Sequence, residues 1–224
     1  MPRLSFAGYP WWVEDTKETK IGPGPNHFSS NSAWVDDKGE LHLRVHLNPE
    51  TNQWECAQLT LEKSLGYGTY RFYVKGRTDL MDKQIVLGMY LYDGQSEDYG
   101  NLYNREIDIE LSKWGKDDED YPEAQYVIQP YNQKGNRYRF AQGLNGSAST
   151  HSFTWTPKQV EFQSVHGFYK ELKNTRYLID DWIYREDVPT KGQEKTSINL
   201  WLFQGKPPKQ GAEIIISKFE FEPY

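Results

Sequence analysis

Three acidic side chains alternate with aliphatic ones in the segment NREIDIELSKWG, residues 104–115. Glu106, Asp108 and Glu110 are each separated from the next by one isoleucine. Because successive side chains of a β-strand point to opposite faces, this pattern predicts three carboxylates on one face and a hydrophobic second face. An ordinary half-buried strand with a solvated polar face shows the same alternation. However, acidic residues are depleted in strands and like charges repel, so three in register are unusual for a plain surface strand.

Two carboxyl groups that flank a scissile bond are the chemical equipment of glycoside hydrolysis, and in retaining enzymes they lie about 5–5.5 Å apart. On a strand, the Cα atoms of Glu106 and Glu110 are about 13 Å apart. If both side chains lean toward each other, the gap between their carboxyl groups falls to about 5–6 Å, within the retaining range. Asp108 lies between them and can bias which glutamate holds a proton. Three acids this close should titrate as a coupled set with at least one raised pKa.

The elements that must hold these acids in place show the same two-residue period. The segments ELHLRVHLN (40–48) and GTYRFYVK (68–75) alternate, whereas QIVLGMYLY (84–92) is apolar on both faces, as is typical of a central strand. Further strands are predicted at 125–131, 151–156, 159–165, 176–184, 196–203 and 213–222. No segment longer than about ten residues has a helical period. The pattern predicts one all-β domain over residues 1–224, a two-sheet sandwich or jelly roll.

Composition narrows the classes of function. The net charge of −6 argues against a nucleic-acid or anionic-membrane partner, because those partners require a basic face. The single cysteine, Cys56, excludes an intrachain disulfide and a cysteine-based zinc site. His42 and His46 would share a strand face but stand about 13 Å apart at Cα, too far apart for one ion. Carboxylates are therefore the main candidate catalytic groups, and we expect no metal site.

The segment EIDIE resembles the active-site signature of glycoside hydrolase family 16, which comprises β-glucanases and related enzymes on a concanavalin A-like jelly roll. Other stretches resemble further landmarks of that family, in its order and over nearly the whole chain: GPGPNHFSSNSAWVDDKGELHLRV, LGYGTYRFYVKGR, HSFTWTPKQVEF and INLWLFQG. Without an inserted residue, E-x-D-x-E is similar to the unbulged form of lichenase-like members. The resemblance implies a retaining endo-β-glucanase in which Glu106 is the nucleophile, Asp108 the assisting acid and Glu110 the general acid/base.

Aromatic residues make up 15% of a chain that is otherwise polar, and flat amphipathic rings suit the apolar faces of pyranose sugars. The segments NLW and MYLYDG resemble sugar-contacting strands of lichenase-like enzymes. The predicted substrate-binding residues are Tyr90, Tyr92, Gln129, Asn199 and Trp201. A position in the sandwich core is the competing interpretation for each ring.

The chain departs from the family pattern at several positions. Arg71 and Tyr73 stand where lichenase-like members carry a glutamate and an arginine, and Asn104 stands where a tryptophan is frequent. These departures leave the exact glucan open. Ser217 stands where many relatives supply an aspartate to a structural calcium, so the resemblance leaves that ion open but does not favour it. We expect no cofactor.

Alternatives from other classes stay open: a non-catalytic carbohydrate-binding jelly roll, a transglycosylase, or a galactan hydrolase of the same family. The negative net charge favours a neutral β-glucan over a sulfated galactan. We expect a monomer that binds a polysaccharide or oligosaccharide, with no nucleic-acid or membrane partner. The first residues lack the apolar segment of a secretory signal. We expect a secreted or periplasmic protein whose signal peptide is absent from this sequence, and a cytoplasmic location stays open.

Overall fold

The computed structural model describes residues 1–95 and 103–224. Within these ranges the chain forms sixteen β-strands, which we number in chain order. They are β1 (Arg3–Phe6), β2 (Tyr9–Val13), β3 (His27–Phe28), β4 (Ala33–Val35), β5 (Leu41–Asn48), β6 (Gln53–Leu61), β7 (Gly68–Lys75), β8 (Ile85–Tyr92), β9 (Ile107–Leu111), β10 (Ala124–Ile128), β11 (Arg137–Phe140), β12 (Ala148–Trp155), β13 (Val160–His166), β14 (Leu178–Tyr184), β15 (Lys195–Leu202) and β16 (Ala212–Pro223). Helical structure in the described ranges is limited to short 3-10 turns, none long or apolar enough to cross a membrane.

The strands form two layers. The front sheet has the order β1-β2-β6-β15-β8-β9-β10-β11, and the back sheet has the order β4-β5-β16-β7-β12-β13-β14. Pairing between the end of β5 and the start of β6 joins the layers into one curved sheet. Every pairing is antiparallel except that of the short β3 with β6. The predicted all-β jelly roll of two antiparallel sheets is confirmed.

The predicted strands are confirmed with shifts of a few residues at their ends. The segment 84–92 becomes β8, a central strand between β9 and β15, as its two apolar faces indicated. The sequence patterns did not predict β6, β11 or the four short strands β1 to β4. In β6 the adjacent Cys56 and Ala57 interrupt the alternation, and β11 alternates over only four residues, so pairing with neighbouring strands reveals their faces.

The core lies between the inner faces of the two sheets, and alternation decides which side chains enter it. Along β9 the three aliphatic side chains are fully buried. The core-facing side chains of β5 and β7 are buried as well, namely Leu41, Leu43, Val45, Tyr70, Phe72 and Val74. A buried polar contact also links the layers: the Tyr126 hydroxyl of β10 donates to Ser164 Oγ of β13 at 2.7 Å. His151 lies beside this contact, at 2.7 Å from Ser164 Oγ, and burial lowers its pKa to about 3. We therefore interpret His151 as a neutral structural residue.

Candidate active site

The strand β9 lies in the middle of the front sheet and directs its acids away from the core. It pairs with β8 and β10 without a register shift across Ile107–Leu111, so the predicted unbulged form is confirmed. Asp108 lies opposite Tyr90 of β8, and Glu110 lies opposite Gly88 of β8 and Gln125 of β10. Residues directly opposite in an antiparallel pair share a face. The acids and these partners therefore lie together on the outer face of the front sheet.

A cleft of about 520 Å³ runs over this outer face. The structure brings Glu106, Asp108 and Glu110 together in its wall, as their spacing predicted. Four of the predicted binding residues line the same wall, namely Tyr90, Tyr92, Asn199 and Trp201. Gln129 contacts the site through Asp108, because its Nε2 donates to Asp108 Oδ2 at 3.0 Å.

Asp108 is the most enclosed of the three acids, with 3% of its surface exposed. Burial, followed by the charges of Glu106 and Glu110, raises the pKa of Asp108 well above its ordinary value. Burial and then Glu110 raise the pKa of Glu106 to about 8, whereas a hydrogen bond with Asp108 acts in the opposite direction. Because a protonated acid donates to its ionised neighbour, this bond favours a proton on Asp108 and a carboxylate at Glu106.

Glu110 has different surroundings. Its Oε2 accepts a hydrogen bond of 2.6 Å from Gln125 Nε2. Burial raises the pKa of Glu110, and this bond, followed by the positive charges of Arg139 and Arg137, opposes the rise. Glu106 and Glu110 thus differ in their partners: Glu106 is bonded to an acid, and Glu110 to an amide with cations nearby. Unequal environments of this kind let paired carboxyl groups take unequal roles.

The turn before Glu106 has an unusual backbone. Tyr103, Asn104 and Arg105 have φ of 41°, 57° and 52°, in the left-handed region that side-chain-bearing residues rarely adopt. The Arg105 Nη1 donates to Asp93 Oδ2 at 2.7 Å, and the Asp93 backbone N–H donates to Asn104 O at 2.7 Å. These bonds tie the turn to the end of β8. Strained backbone of this kind persists only where surrounding contacts stabilise it. We infer that these contacts fix the turn and hold Glu106 in place directly before β9.

A polar network forms the floor of the cleft on β8, β15 and β6. Asn199 Nδ2 lies 3.3 Å from the Tyr90 hydroxyl and 3.4 Å from Gln58 Oε1. Its Oδ1 is buried and has no hydrogen-bond partner in the described part of the chain. Buried amide oxygens are nearly always hydrogen-bonded, so this atom is suited to accept from a ligand hydroxyl. The Asn199 side chain fits here because residue 88 is glycine: a Cβ at Gly88 would lie 2.4 Å from Asn199 Oδ1.

Trp201 belongs both to the cleft wall and to the core. Only 9% of its surface is exposed, and it packs within the hydrophobic cluster. Tyr92, by contrast, is 38% exposed in the same wall. The two interpretations of Trp201 are therefore compatible, because the residue packs in the core cluster and also lines the cleft.

Arg71, which replaces a glutamate of the family pattern, lies in the back sheet and away from the cleft. Its guanidinium pairs with Glu220 at 3.4 Å and with Glu222 at 3.8 Å. Tyr73, on the same face of β7, donates its hydroxyl to Glu220 at 2.7 Å. Both departures are thus part of a polar cluster on the outer face of the back sheet.

The Ser217 side chain is hydrogen-bonded within the protein. Its hydroxyl bonds to Glu40, whose carboxylate also pairs with Lys75. The oxygen atoms at this position are therefore already engaged by donors of the protein. Among residues 1–95 and 103–224, no group of three His, Cys, Asp or Glu residues could hold a metal ion.

The sequence interpretation missed Gln125, Gln58 and Lys195, all of which border the acids or line the cleft. Gln125 lies two residues from Val127 and four from Gln129, on the strand predicted at 125–131. The alternation of that strand was the available signal, since it puts Gln125 and Gln129 on one face. Gln58 lies on β6, which the sequence patterns did not predict.

No protein-family model and no curated protein matches this chain. Solved structures do match it. A β-glucanase of Bacillus licheniformis aligns with a TM-score of 0.69 and 17% identity over 96% of this chain and 92% of that chain. A prokaryotic β-1,3-1,4-glucanase (lichenase) from a mouse hindgut metagenome aligns equally well, over 96% and 93% of the two chains, with a TM-score of 0.69 and 17% identity.

A third matching structure, from Mycobacterium tuberculosis, is described as an immunostimulatory antigen and pseudo-β-1,3-glucanase. It aligns with a TM-score of 0.59 and 16% identity over 92% of this chain and 88% of that chain. At these identities the comparison concerns the fold alone. The chain has the fold of the β-glucanase structures, as its motifs predicted.

Proposed function

We propose that this protein is a retaining endo-β-glucanase that hydrolyses internal β-1,3 or β-1,4 bonds of a polysaccharide. The observation that carries the proposal is the set of three carboxyl groups on and directly before unbulged β9, which share one cleft wall. Glu106 and Glu110 are both partly accessible there, while Asp108 is buried between them. A binding protein has no need of three acids that raise one another's pKa.

In the first half-reaction, a Glu106 carboxylate oxygen bonds to the anomeric carbon while the glycosidic C–O bond breaks. Glu110 donates its proton to the departing oxygen, so the leaving sugar departs as a neutral alcohol. The hydrogen bond from Asp108 favours the carboxylate form of Glu106, which is the form that attacks. The product of this step is a glycosyl-enzyme ester on Glu106 with inverted configuration.

In the second half-reaction, Glu110 acts as the base. It takes a proton from water as the water oxygen bonds to the anomeric carbon, and the ester bond to Glu106 breaks. Two inversions restore the β-configuration, Glu106 is again a carboxylate and Glu110 is again protonated. If a sugar hydroxyl takes the place of water, the same site carries out transglycosylation.

The wall suits an internal stretch of a polymer. Tyr90, Tyr92 and Asn199 extend it from β9 across β8 to β15. Neighbouring strands are about 4.8 Å apart, close to the length of one sugar unit, so several units fit across the sheet. The cation Arg71 is paired on the back sheet, which removes it as a partner for an anionic sugar. We therefore favour a neutral β-glucan.

The test is digestion of mixed-linkage β-glucan, laminarin, xyloglucan, agarose and carrageenan by the purified protein, with proton NMR of the new reducing ends. We expect β-anomeric product at first and a rapid fall in polymer length on a β-glucan. Initial α-anomer would contradict retention, and cleavage of agarose or carrageenan alone would contradict the glucan assignment. Longer products from an added acceptor sugar would indicate transglycosylation.

A second candidate is a carbohydrate-binding protein without turnover. Two observations favour it: Glu106 has a pKa of about 8, so it is largely protonated near neutral pH, and one structure of this fold is described as a pseudo-glucanase. Calorimetric titration of oligosaccharides distinguishes the candidates. Binding by the wild type, with intact sugars recovered after prolonged incubation between about pH 5 and pH 9, would support the binding protein.

A further inference from the structure

Three side chains in successive strands of the front sheet form one row. Glu110 of β9 lies opposite Gln125 of β10, and Gln125 lies opposite Arg139 of β11. Arg139 Nε donates to Gln125 Oε1 at 3.1 Å, and Gln125 Nε2 donates to Glu110 Oε2 at 2.6 Å. A continuous chain of hydrogen bonds therefore runs from a guanidinium to a carboxyl group of the candidate site.

The guanidinium determines which way the Gln125 amide points. Arginine can only donate hydrogen bonds, so the amide oxygen must face Arg139 and the NH₂ group must face Glu110. The NH₂ group donates a hydrogen bond to Oε2 of Glu110. Oε1 is then the oxygen of Glu110 that can carry a transferable proton.

Two aromatic rings hold Arg139 in this position. Its Cζ lies 5.2 Å from the ring centre of Trp114 and 5.0 Å from that of Tyr121. Trp114 has a φ of 44°, in the left-handed region, and its backbone N–H donates to Ser112 Oγ at 2.9 Å. Bulky residues rarely adopt this conformation, so the Trp114 ring is placed by its surroundings and not by local preference.

The charge of Arg139 is not taken up by another acid. No carboxylate oxygen of the residues that the structure describes lies within 4.0 Å of its guanidinium. Its polar contact is the Gln125 amide, and the rings contribute cation–π contacts. The arrangement resembles the support that a second layer of residues gives to a catalytic group in other enzymes.

We propose that Arg139 is a positioning residue for Glu110. Arg139 acts through the Gln125 amide and is held in place by Trp114 and Tyr121. This inference rests on the proposed function, because it assigns Arg139 to the general acid/base of that reaction. The relay orients the carboxyl group toward the scissile oxygen and stabilises its ionised form, which Glu110 must adopt between the two half-reactions.

Other charged groups also face Glu110. Asp108 lies on its own strand, Glu106 directly precedes that strand, and Arg137 comes from β11. The Tyr90 phenol comes from β8, and the Lys116 amine lies 6.0 Å above the Tyr121 ring. Of the basic groups, Arg139 alone is hydrogen-bonded to Gln125. Loss of Arg139 should therefore raise the pKa of Glu110 more than loss of Arg137.

The first test compares pH–rate profiles of the wild type, Arg139→Gln and Arg137→Gln. The alkaline limb reports loss of the Glu110 proton, so we expect it to move to higher pH in Arg139→Gln and to move less in Arg137→Gln. We also expect kcat to fall about tenfold in Arg139→Gln, with a smaller change in KM, because the acid is misoriented. An unmoved alkaline limb, or equal shifts in both variants, would overturn the proposal.

A double-mutant cycle tests whether the effect passes through the amide. Gln125→Met removes both hydrogen bonds at similar side-chain volume. If the relay exists, Arg139→Gln should change kcat much less in the Gln125→Met background than in the wild type. Full additivity of the two changes would contradict a relay.

A second measurement separates this inference from the proposed function. Carbon-13 NMR of the side-chain carboxyl groups follows the titration of Glu110 without any substrate, with Glu110→Gln to assign its signal. We expect the Glu110 midpoint to rise in Arg139→Gln by more than in Arg137→Gln. This result would support the relay even if no glycan were cleaved. An unchanged midpoint in Arg139→Gln would refute it even in an active enzyme.

Discussion

Asp93 and Arg105 form an ion pair of 2.7 Å between the segment that follows β8 and the residue just before Glu106. Asp93 is 2% exposed and also accepts from the backbone N–H groups of Gln95 and Gln193, each at 3.0 Å. The Asp93 carboxylate thus joins the segment after β8 to the segments that precede β9 and β15, beside the cleft. The pair supports the left-handed turn that presents Glu106.

Replacing Asp93 should therefore affect both stability and activity. In Asp93→Ala the Arg105 charge is left enclosed without a partner, and we expect a loss of about 3–5 kcal/mol in the free energy of unfolding. Activity should fall as well, because the turn before Glu106 is released. The matched control is Asp79→Ala, which breaks a 2.7 Å pair with the more exposed Arg77 and should cost less than about 1 kcal/mol. Equal losses in both variants, measured by denaturant unfolding, would contradict the anchoring role.

The two glutamates should be essential and unequal. Glu106→Ala and Glu110→Ala should each lose orders of magnitude in rate, since one loses the nucleophile and the other the acid. With azide and an activated glycoside, Glu106→Ala should form an α-glycosyl azide and Glu110→Ala a β-glycosyl azide. The control is Glu161→Ala, which removes an exposed glutamate of β13. Near-normal turnover in either cleft variant would show the assignment to be wrong.

Glu106 should make the protein less stable at alkaline pH. Its pKa is about 8 in the folded protein against an ordinary 4.5, so the native state binds more protons between these values. Its favourable contribution is complete below pH 4.5 and is lost as the pH rises through about 8. Glu106→Gln cannot ionise, so we expect its melting temperature to exceed that of the wild type by about 2 °C or more near pH 9.

Near pH 4 the same two proteins should melt within about 1 °C of each other, because Glu106 is then protonated in both the folded and the unfolded chain. Scanning calorimetry at both pH values provides the comparison, with Glu161→Gln as the exposed control. A stabilisation that is independent of pH would exclude the titration of Glu106 as its cause.

Trp201 should contribute to stability and to sugar binding separately. Trp201→Ala should cost about 3–5 kcal/mol, because the ring is 91% buried within the core cluster. Trp201→Phe retains much of the packing but offers a smaller ring to the cleft that Trp201 lines. We expect it to weaken binding of long oligosaccharides with a smaller loss of stability. Unchanged affinity in Trp201→Phe would restrict Trp201 to the core.

Gly88 should be required for the position of Asn199. In Gly88→Ala the new Cβ would lie 2.4 Å from Asn199 Oδ1, so the amide must move from the cleft floor. We expect a rise in KM or in the dissociation constant of an oligosaccharide, with the fold retained by circular dichroism. Gly146→Ala is the control, since a Cβ there meets nothing within 4 Å. Wild-type affinity in Gly88→Ala would argue against a role for Asn199 in binding.

The amino-acid sequence by itself determined the two-faced character of β9 and its central neighbour β8. Side-chain alternation is a local property of an extended backbone, so Glu106, Asp108 and Glu110 had to share a face wherever the strand lay. The same local rule predicted that Tyr90 and Tyr92 share a face, and both line the cleft. Most of the all-β fold followed from repeated use of this rule.

Only the tertiary structure decided which residues meet across strands. Alternation distinguishes two faces but does not say which one borders a cleft, and for this reason Arg71 could be assigned to the back sheet only after folding. The row from Glu110 through Gln125 to Arg139 depends on the register of three strands joined by long connections. Register is set by hydrophobic burial across the whole sandwich, and a one-residue slip would turn each side chain to the opposite face.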